Sequence, residues 1–187
     1  MLWDGAGFPR LALHLARLER EALALGWPRP SRVVEALSSL PSEPRRVRLT
    51  MDKAAALQVQ TQALPRVKPL WQVALAPQRL SSADPWLRLK STRRAVYDAA
   101  RAALGGLDEV IFLNERDEVC EGTITNLFFD RGQGMRTPPV ACGLLPGVLR
   151  AELALPEEVL LAEDLPKVRL WLGNALRGLI PAQFQTG

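Results

Sequence analysis

Cysteine and histidine are scarce in this chain of 187 residues: two cysteines, Cys120 and Cys142, and one histidine, His14. Two thiols with neither metal-ligand spacing nor a paired framework argue against a metal site and a disulfide-stapled fold, and point to a reducing, cytoplasmic compartment. No apolar run approaches the roughly 20 residues that a membrane span needs. No secretory signal or transit peptide is read. Dense basic blocks with interleaved aromatics are also missing. The net charge of +4 is scattered, with arginine well ahead of lysine, so nucleic acid is not an expected partner. No internal repeat or low-complexity segment is found.

What is present suits one large domain or two small ones, with 48% apolar residues to build a core. Leu11, Leu15, Leu18 and Ala22 recur at helical steps and predict an amphipathic helix from Leu11 to Leu25. Gly26 and Pro28 end it. A short helix is expected from Pro30 to Leu40, then strands over Arg46–Thr50, Ala56–Ala63 and Trp71–Ala76, together a small α+β unit with an antiparallel sheet. The Pro- and Ser-containing stretch from Pro77 to Pro85 reads as a connector, which divides the chain into residues 1–80 and 81–187. Beyond it, Ala95, Val96, Ala99, Ala100, Ala103 and Leu104 mark a helix stripe ended by Gly105-Gly106. Val110–Leu113 and Val119–Phe129 flank a polar turn and predict a hairpin. A loop from Thr137 to Pro146 and a helix from Gly147 to Leu155 follow, and Leu170 to Leu179 is the last readable segment.

Lys90 and Glu121 stand out chemically. Lys90 closes a run read as a strand, Trp86 to Leu89, before a helix for which Thr92 is a plausible N-cap. An amine there would feel the positive end of the helix, which disfavours the ammonium form and favours a nucleophile able to form a Schiff base. Glu121 lies in an otherwise apolar or small-residue strand, where a carboxylate calls for a cationic partner. The pair is what an aldehyde cofactor with a basic ring nitrogen would need. Each residue also has a plain alternative: a surface lysine, and a glutamate paired with an arginine. Gly122 permits close backbone approach, and Thr123, Thr125 and Asn126 add polar groups. Three features could hold a phosphate: the helix start at Gly147-Val148-Leu149-Arg150, the turn Asn174-Ala175-Leu176-Arg177-Gly178, and Arg17 on the first helix. His14 reads as a packed histidine, not a ligand.

In order along the chain, these segments resemble the fold-type IV pyridoxal-phosphate enzymes, the class IV aminotransferase family, and most of all its 4-amino-4-deoxychorismate lyase branch. His14-Leu15-Ala16-Arg17-Leu18 resembles the helix whose arginine binds the cofactor phosphate. Leu89-Lys90-Ser91-Thr92-Arg93-Arg94 resembles the Schiff-base segment, and Glu121-Gly122-Thr123-Ile124-Thr125-Asn126-Leu127-Phe128 the family's E-G-x-x-x-N-L-F signature. Thr137-Pro138-Pro139 with Leu145-Pro146-Gly147-Val148-Leu149-Arg150 resembles the phosphate loop and helix start, and Asn174-Ala175-Leu176 the closing turn.

The resemblance implies an α+β, two-domain fold of the D-amino acid aminotransferase type, a small α/β sandwich plus a larger pseudo-barrel. It implies pyridoxal 5'-phosphate held by Lys90 as an aldimine, with Glu121 at the ring nitrogen. Arg17, Asn126, Gly147, Val148, Leu149, Asn174 and Ala175 complete the implied cofactor site. The family's extra strand before the Asp4-Gly5 turn is not read in this sequence. Branched-chain aminotransferases carry a tyrosine five residues after the lysine; here that place is Ala95, as in the lyase, and helical geometry does not favour Tyr97 reaching the site.

The implied reaction is conversion of 4-amino-4-deoxychorismate to 4-aminobenzoate and pyruvate. An aminotransferase acting on branched-chain or D-amino acids is the alternative, and a non-catalytic member of the fold is a second. A small-molecule amine substrate, a homodimer and a functional pairing with a chorismate-aminating enzyme follow from the same resemblance.

Overall fold

The computed structural model describes residues 1–185. It divides into two compact units, Met1–Arg66 and Val67–Gly187. The first contains β1 (Leu2–Trp3), α1 (Leu11–Ala24), α2 (Val33–Ala36), β2 (Arg45–Met51) and β3 (Leu57–Gln62). Its three strands form an antiparallel sheet in the order β1-β2-β3. The expected stripe of α1 is apparent: Leu11, Leu15 and Leu18 pack with Trp3, Phe8, Leu49 and Val59 around buried Val33, Leu37 and Val47. Gly26, at φ +66°, lets the chain turn off α1 in a conformation that costs other residues more.

Two expectations change here. A strand does precede the Asp4-Gly5 turn: Leu2 and Trp3 pair with Arg46 and Arg45. It is too short for an alternating pattern to reveal it. The second helix shrinks to Val33–Ala36, because Arg32 takes a left-handed backbone at φ 57° and breaks the helical run just before it.

The second unit contains β4 (Trp71–Leu80), α3 (Ala95–Ala102), β5 (Glu109–Asn114), β6 (Val119–Gly122), β7 (Asn126–Asp130), β8 (Met135–Arg136), α4 (Val148–Leu153), β9 (Arg169–Asn174) and β10 (Gly178–Phe184). The sheet runs β6-β5-β4-β10-β9-β7-β8, and an added β6–β7 pairing joins β6 back to β7. Six strands thus close into a ring with β8 as an appendage, the barrel-like sheet of the expected fold. Closure removes most open edges from the sheet.

The boundary between units falls before β4, not after residue 80. β4 pairs in parallel with both β5 and β10, so it belongs to the mixed barrel and not to the small antiparallel sheet. The stretch from Pro77, expected to connect two halves, includes the end of this strand. Pro77 is tolerated because the β4–β5 register shifts between Leu75 and Arg79, where a missing ladder donor does little harm. The segment Val119–Phe129 is likewise two strands, β6 and β7, folded back on each other through Thr123–Thr125.

Every residue of β5, β6 and β7 is buried. In β5, Ile111 and Leu113 join a cluster with Val73, Leu127, Phe129 and Leu172, while Val110 and Phe112 join a different one with Tyr97, Ala100 and Leu144. Alternate side chains thus feed two cores, which explains an apolar run without visible alternation. No helix among the described residues is long and apolar enough to cross a membrane. Phe129 is fully buried in the first cluster; replacing it with alanine is expected to cost about 3–5 kcal/mol of stability, read as a lower urea midpoint at unchanged slope.

Candidate active site

Glu121 stands on β6 directly opposite Asn126 on β7. It is 6% exposed, and its hydrogen bonds come from neutral donors. Tyr97 Oη donates to Oε1 at 2.7 Å; the Leu145 amide donates to Oε2 at 3.2 Å, with Asn126 Nδ2 at 3.5 Å. Burial pushes the Glu121 pKa up to about 7, against the pull of the Tyr97 and Leu145 hydrogen bonds and of the Lys90 and Arg94 charges.

Lys90 is exposed and its charge reaches Glu121. Its local setting differs from the expectation. Pro85–Arg88 is a 3-10 turn capped by Asp84, not a strand, and α3 begins only at Ala95 with Arg94 at the N-cap position. Thr92 caps nothing. Because a helix terminus acts over about one turn, α3, which starts five residues on, does not favour a neutral Lys90 amine.

Tyr97 is the larger surprise. The buried side of α3 is formed by Val96, Tyr97, Ala100 and Leu104, while Ala95, Ala99 and Ala103 face solvent. Alanine is at ease on either face, so the alanine-rich stripe left the rotational phase of the helix open. The true phase aims the Tyr97 hydroxyl at Glu121.

Beneath the β6–β7 turn lies a second buried carboxylate, Glu109, which is fully buried. It accepts from Thr123 Oγ1 at 2.6 Å, the Ile124 amide at 3.2 Å and Thr125 Oγ1 at 3.3 Å, with Arg101 Nη1 3.7 Å away. Gly122 makes room: a Cβ there would sit 2.8 Å from Glu109 Cγ and 2.5 Å from Thr125 Oγ1. The signature's glycine and threonines therefore anchor the turn to a base, a role its spacing did not reveal.

Asn126 links this turn to α4. Its Nδ2 donates to Leu145 O at 2.8 Å, and a Cβ on Gly147 would fall 2.1 Å from its Oδ1. Gly147 is the N-cap of α4 and offers no side-chain cap. The first helical bond runs from Ala151 N to Gly147 O, so the amides of Val148 and Leu149 have no acceptor within the helix. The Asn174–Gly178 turn joins the group: Asn174 Nδ2 donates to Ile124 O at 3.1 Å, and its Oδ1 accepts from the Leu176 and Arg177 amides. Buried Ala175 follows it.

Contacts therefore bring Glu121, Asn126, Gly147 and Asn174 together, with Val148, Leu149 and Ala175 beside them. Arg17 lies on α1 in the first unit, with its Nε 3.7 Å from Glu21 Oε1. His14, one turn before it, is held neutral largely by burial, its pKa lowered to about 3.

The sequence model of the family described as "Amino-transferase class IV" matches residues 1–183. A Schizosaccharomyces pombe protein named "Putative aminodeoxychorismate lyase" is 30% identical over 162 residues, covering 81% of this chain and 70% of that protein. The crystal structure of a "Putative amino-acid aminotransferase" from Mesorhizobium loti is similar with a TM-score of 0.93 at 40% identity, covering 99% of this chain and 97% of that one. A "Putative 4-amino-4-deoxychorismate lyase" from Legionella pneumophila shares the fold, with a TM-score of 0.81 at 21% identity over 98% of this chain and 82% of its own.

Two outcomes follow from this geometry. A carboxyl whose pKa rises from 4.5 to about 7 on folding adds stability that is complete below pH 4.5 and lost as pH climbs through about 7. The loss is about 3 kcal/mol at roughly 1.4 kcal/mol per unit. Glu121→Gln in the ligand-free chain should remove that part of the slope, read from urea melts below 4.5 and above 7. Gly147→Ala should displace Asn126 and cost about 1–3 kcal/mol, seen as a lower melting temperature.

Proposed function

Because the chain belongs to the class IV aminotransferases, enzymes that depend on pyridoxal 5'-phosphate, we propose that it is the lyase that converts 4-amino-4-deoxychorismate to 4-aminobenzoate and pyruvate. One observation carries the cofactor's place in this reading: a buried carboxylate, Glu121, held by the Tyr97 hydroxyl, the Leu145 amide and Asn126 on the strand opposite. A protonated pyridine nitrogen is a cation that such a group would stabilise. The rest of the donor set fits the same cofactor. Lys90 offers an exposed amine whose charge reaches Glu121, and the uncapped start of α4 offers amides to a phosphate. Arg17 enters this reading through the family resemblance alone.

When bound, the cofactor supplies an electron-accepting ring that stabilises a carbanion next to the substrate nitrogen. The chain's own residues do the rest. Lys90 Nζ would hold the cofactor's aldehyde and would take the proton from the carbon bearing the substrate nitrogen. Glu121 would keep a proton on the ring nitrogen. Asn126 holds Glu121 and the Leu145 carbonyl in register. The amides of Val148 and Leu149 and the Asn174–Ala175 turn orient the phosphate. A small-molecule amine is the substrate class of the family.

The similarity to the Schizosaccharomyces pombe protein supports the lyase over a transaminase. So does Ala95, an exposed alanine at the place where branched-chain aminotransferases carry their tyrosine. The 40% identity to the Mesorhizobium loti protein favours the second reading, an amino-acid aminotransferase. The two share the first proton abstraction and part at the product. A homodimer in the cytoplasm, working beside a chorismate-aminating enzyme, belongs to the lyase reading.

The deciding assay is pyruvate and 4-aminobenzoate release from enzymatically generated 4-amino-4-deoxychorismate. The unmutated protein should form both, and Lys90→Ala should lose at least about a thousandfold in rate. A cofactor-loaded, yellow protein that forms neither, yet interconverts amino-acid and keto-acid pairs, would establish the aminotransferase instead.

A further inference from the structure

We propose that Tyr97 is a positioning residue for Glu121: its hydroxyl holds the carboxylate charged and turned so that Glu121 can keep the cofactor's ring nitrogen protonated. The inference rests on the reading of Glu121 given above and adds a residue that the sequence argument set aside.

Three observations support it. First, the bond is short and buried: 2.7 Å from Tyr97 Oη to Glu121 Oε1, with Tyr97 7% and Glu121 6% exposed. Second, the donor is aimed by its surroundings. The Tyr97 ring meets Phe112 edge-on, with centroids 5.1 Å apart at 71°, and the Arg94 guanidinium lies 5.2 Å from its centroid. Arg94 is itself tied to the β6–β7 turn by a 2.7 Å bond to Thr123 O. The hydroxyl therefore stays on Glu121 without help from the ligand. Third, burial and the adjacent carboxylate drive the phenol's own pKa far upward, so it remains a donor across the working pH range.

Glu121 needs such a donor because it is poised. The charged groups that reach it are Lys90 and Arg94, and the neighbouring acids are Tyr97 and Cys120. Even with them, burial holds its pKa at about 7. Removing a donor to a charged acceptor should raise it by about one to two further units. The carboxyl would then take a proton at neutral pH and stop stabilising a protonated ring. A tyrosine retained only to fill space would leave this balance unchanged.

The chain contains a single tyrosine, which makes the test selective. Biosynthetic incorporation of 3-fluorotyrosine modifies position 97 alone and gives a more acidic, stronger donor, whereas Tyr97→Phe keeps the ring and removes the donor. In the holoenzyme, the acid limb of the kcat/KM profile should move up by about one unit with phenylalanine and down with fluorotyrosine. KM and cofactor content should stay near their unmutated values. The nitrogen-15 resonance of labelled cofactor should shift toward unprotonated pyridine in Tyr97→Phe. Limbs that stay put, or move the same way in both proteins, would overturn the proposal. Should the phenylalanine variant not fold, the fluorotyrosine protein decides alone, and an unmoved limb rejects the assignment.

Glu121→Gln separates the two levels. If it leaves the ring-nitrogen resonance unchanged, the reading of Glu121 fails and the role of Tyr97 with it. If it shifts that resonance while Tyr97→Phe does not, only the role of Tyr97 fails.

Discussion

A carboxylate taken out of water costs free energy that its neighbours must offset, and the arrangement around Glu121 is organised by that demand. Its donors come from α3, from β7 and from the loop before α4. Each of these segments must be in place before the charge is tolerable in the interior. The barrel brings them there: Glu121 and Asn126 face each other only because β6 and β7 pair. The site and the closure of the sheet are thus aspects of one structural fact.

Glu109 shows a similar logic one layer down. Two hydroxyls and an amide from the turn between β6 and β7 converge on it, and Arg101 stands at its side. A turn held this way has little freedom, and it carries Asn126 at one end and Glu121 close to the other. Asn174 ties the next turn to the same place through Ile124 O. Rigid support of this kind keeps groups within the narrow tolerance that proton transfer chemistry needs.

The sequence made some of this legible and hid some of it. Lys90 and Glu121 were visible because a lysine near a helix and a lone carboxylate among apolar residues break ordinary expectations. The alternation before Lys90 belongs to a 3-10 turn and not to a strand, so no helix terminus stands beside its amine. Tyr97 was hidden by alanines that suit either face of α3. Strand β1 was too short to show a period, and the end of β4 was masked by Pro77, which a register shift accommodates. Glu109 carried no local signal, because its task depends on side chains fourteen to sixteen residues later.

Local order and family were therefore decided by the sequence alone. Helix α1 follows from its apolar spacing, the hairpin of β5 and β6 from its polar turn, and the cofactor class from motifs in a fixed order. These features rest on contacts between near neighbours or on residue types as such. Tertiary structure alone decided which groups surround the buried Glu121 carboxylate, which face of α3 turns inward, and where the barrel closes. Those outcomes depend on pairing between distant segments and on exclusion of water, and neither is written in any local stretch of the chain.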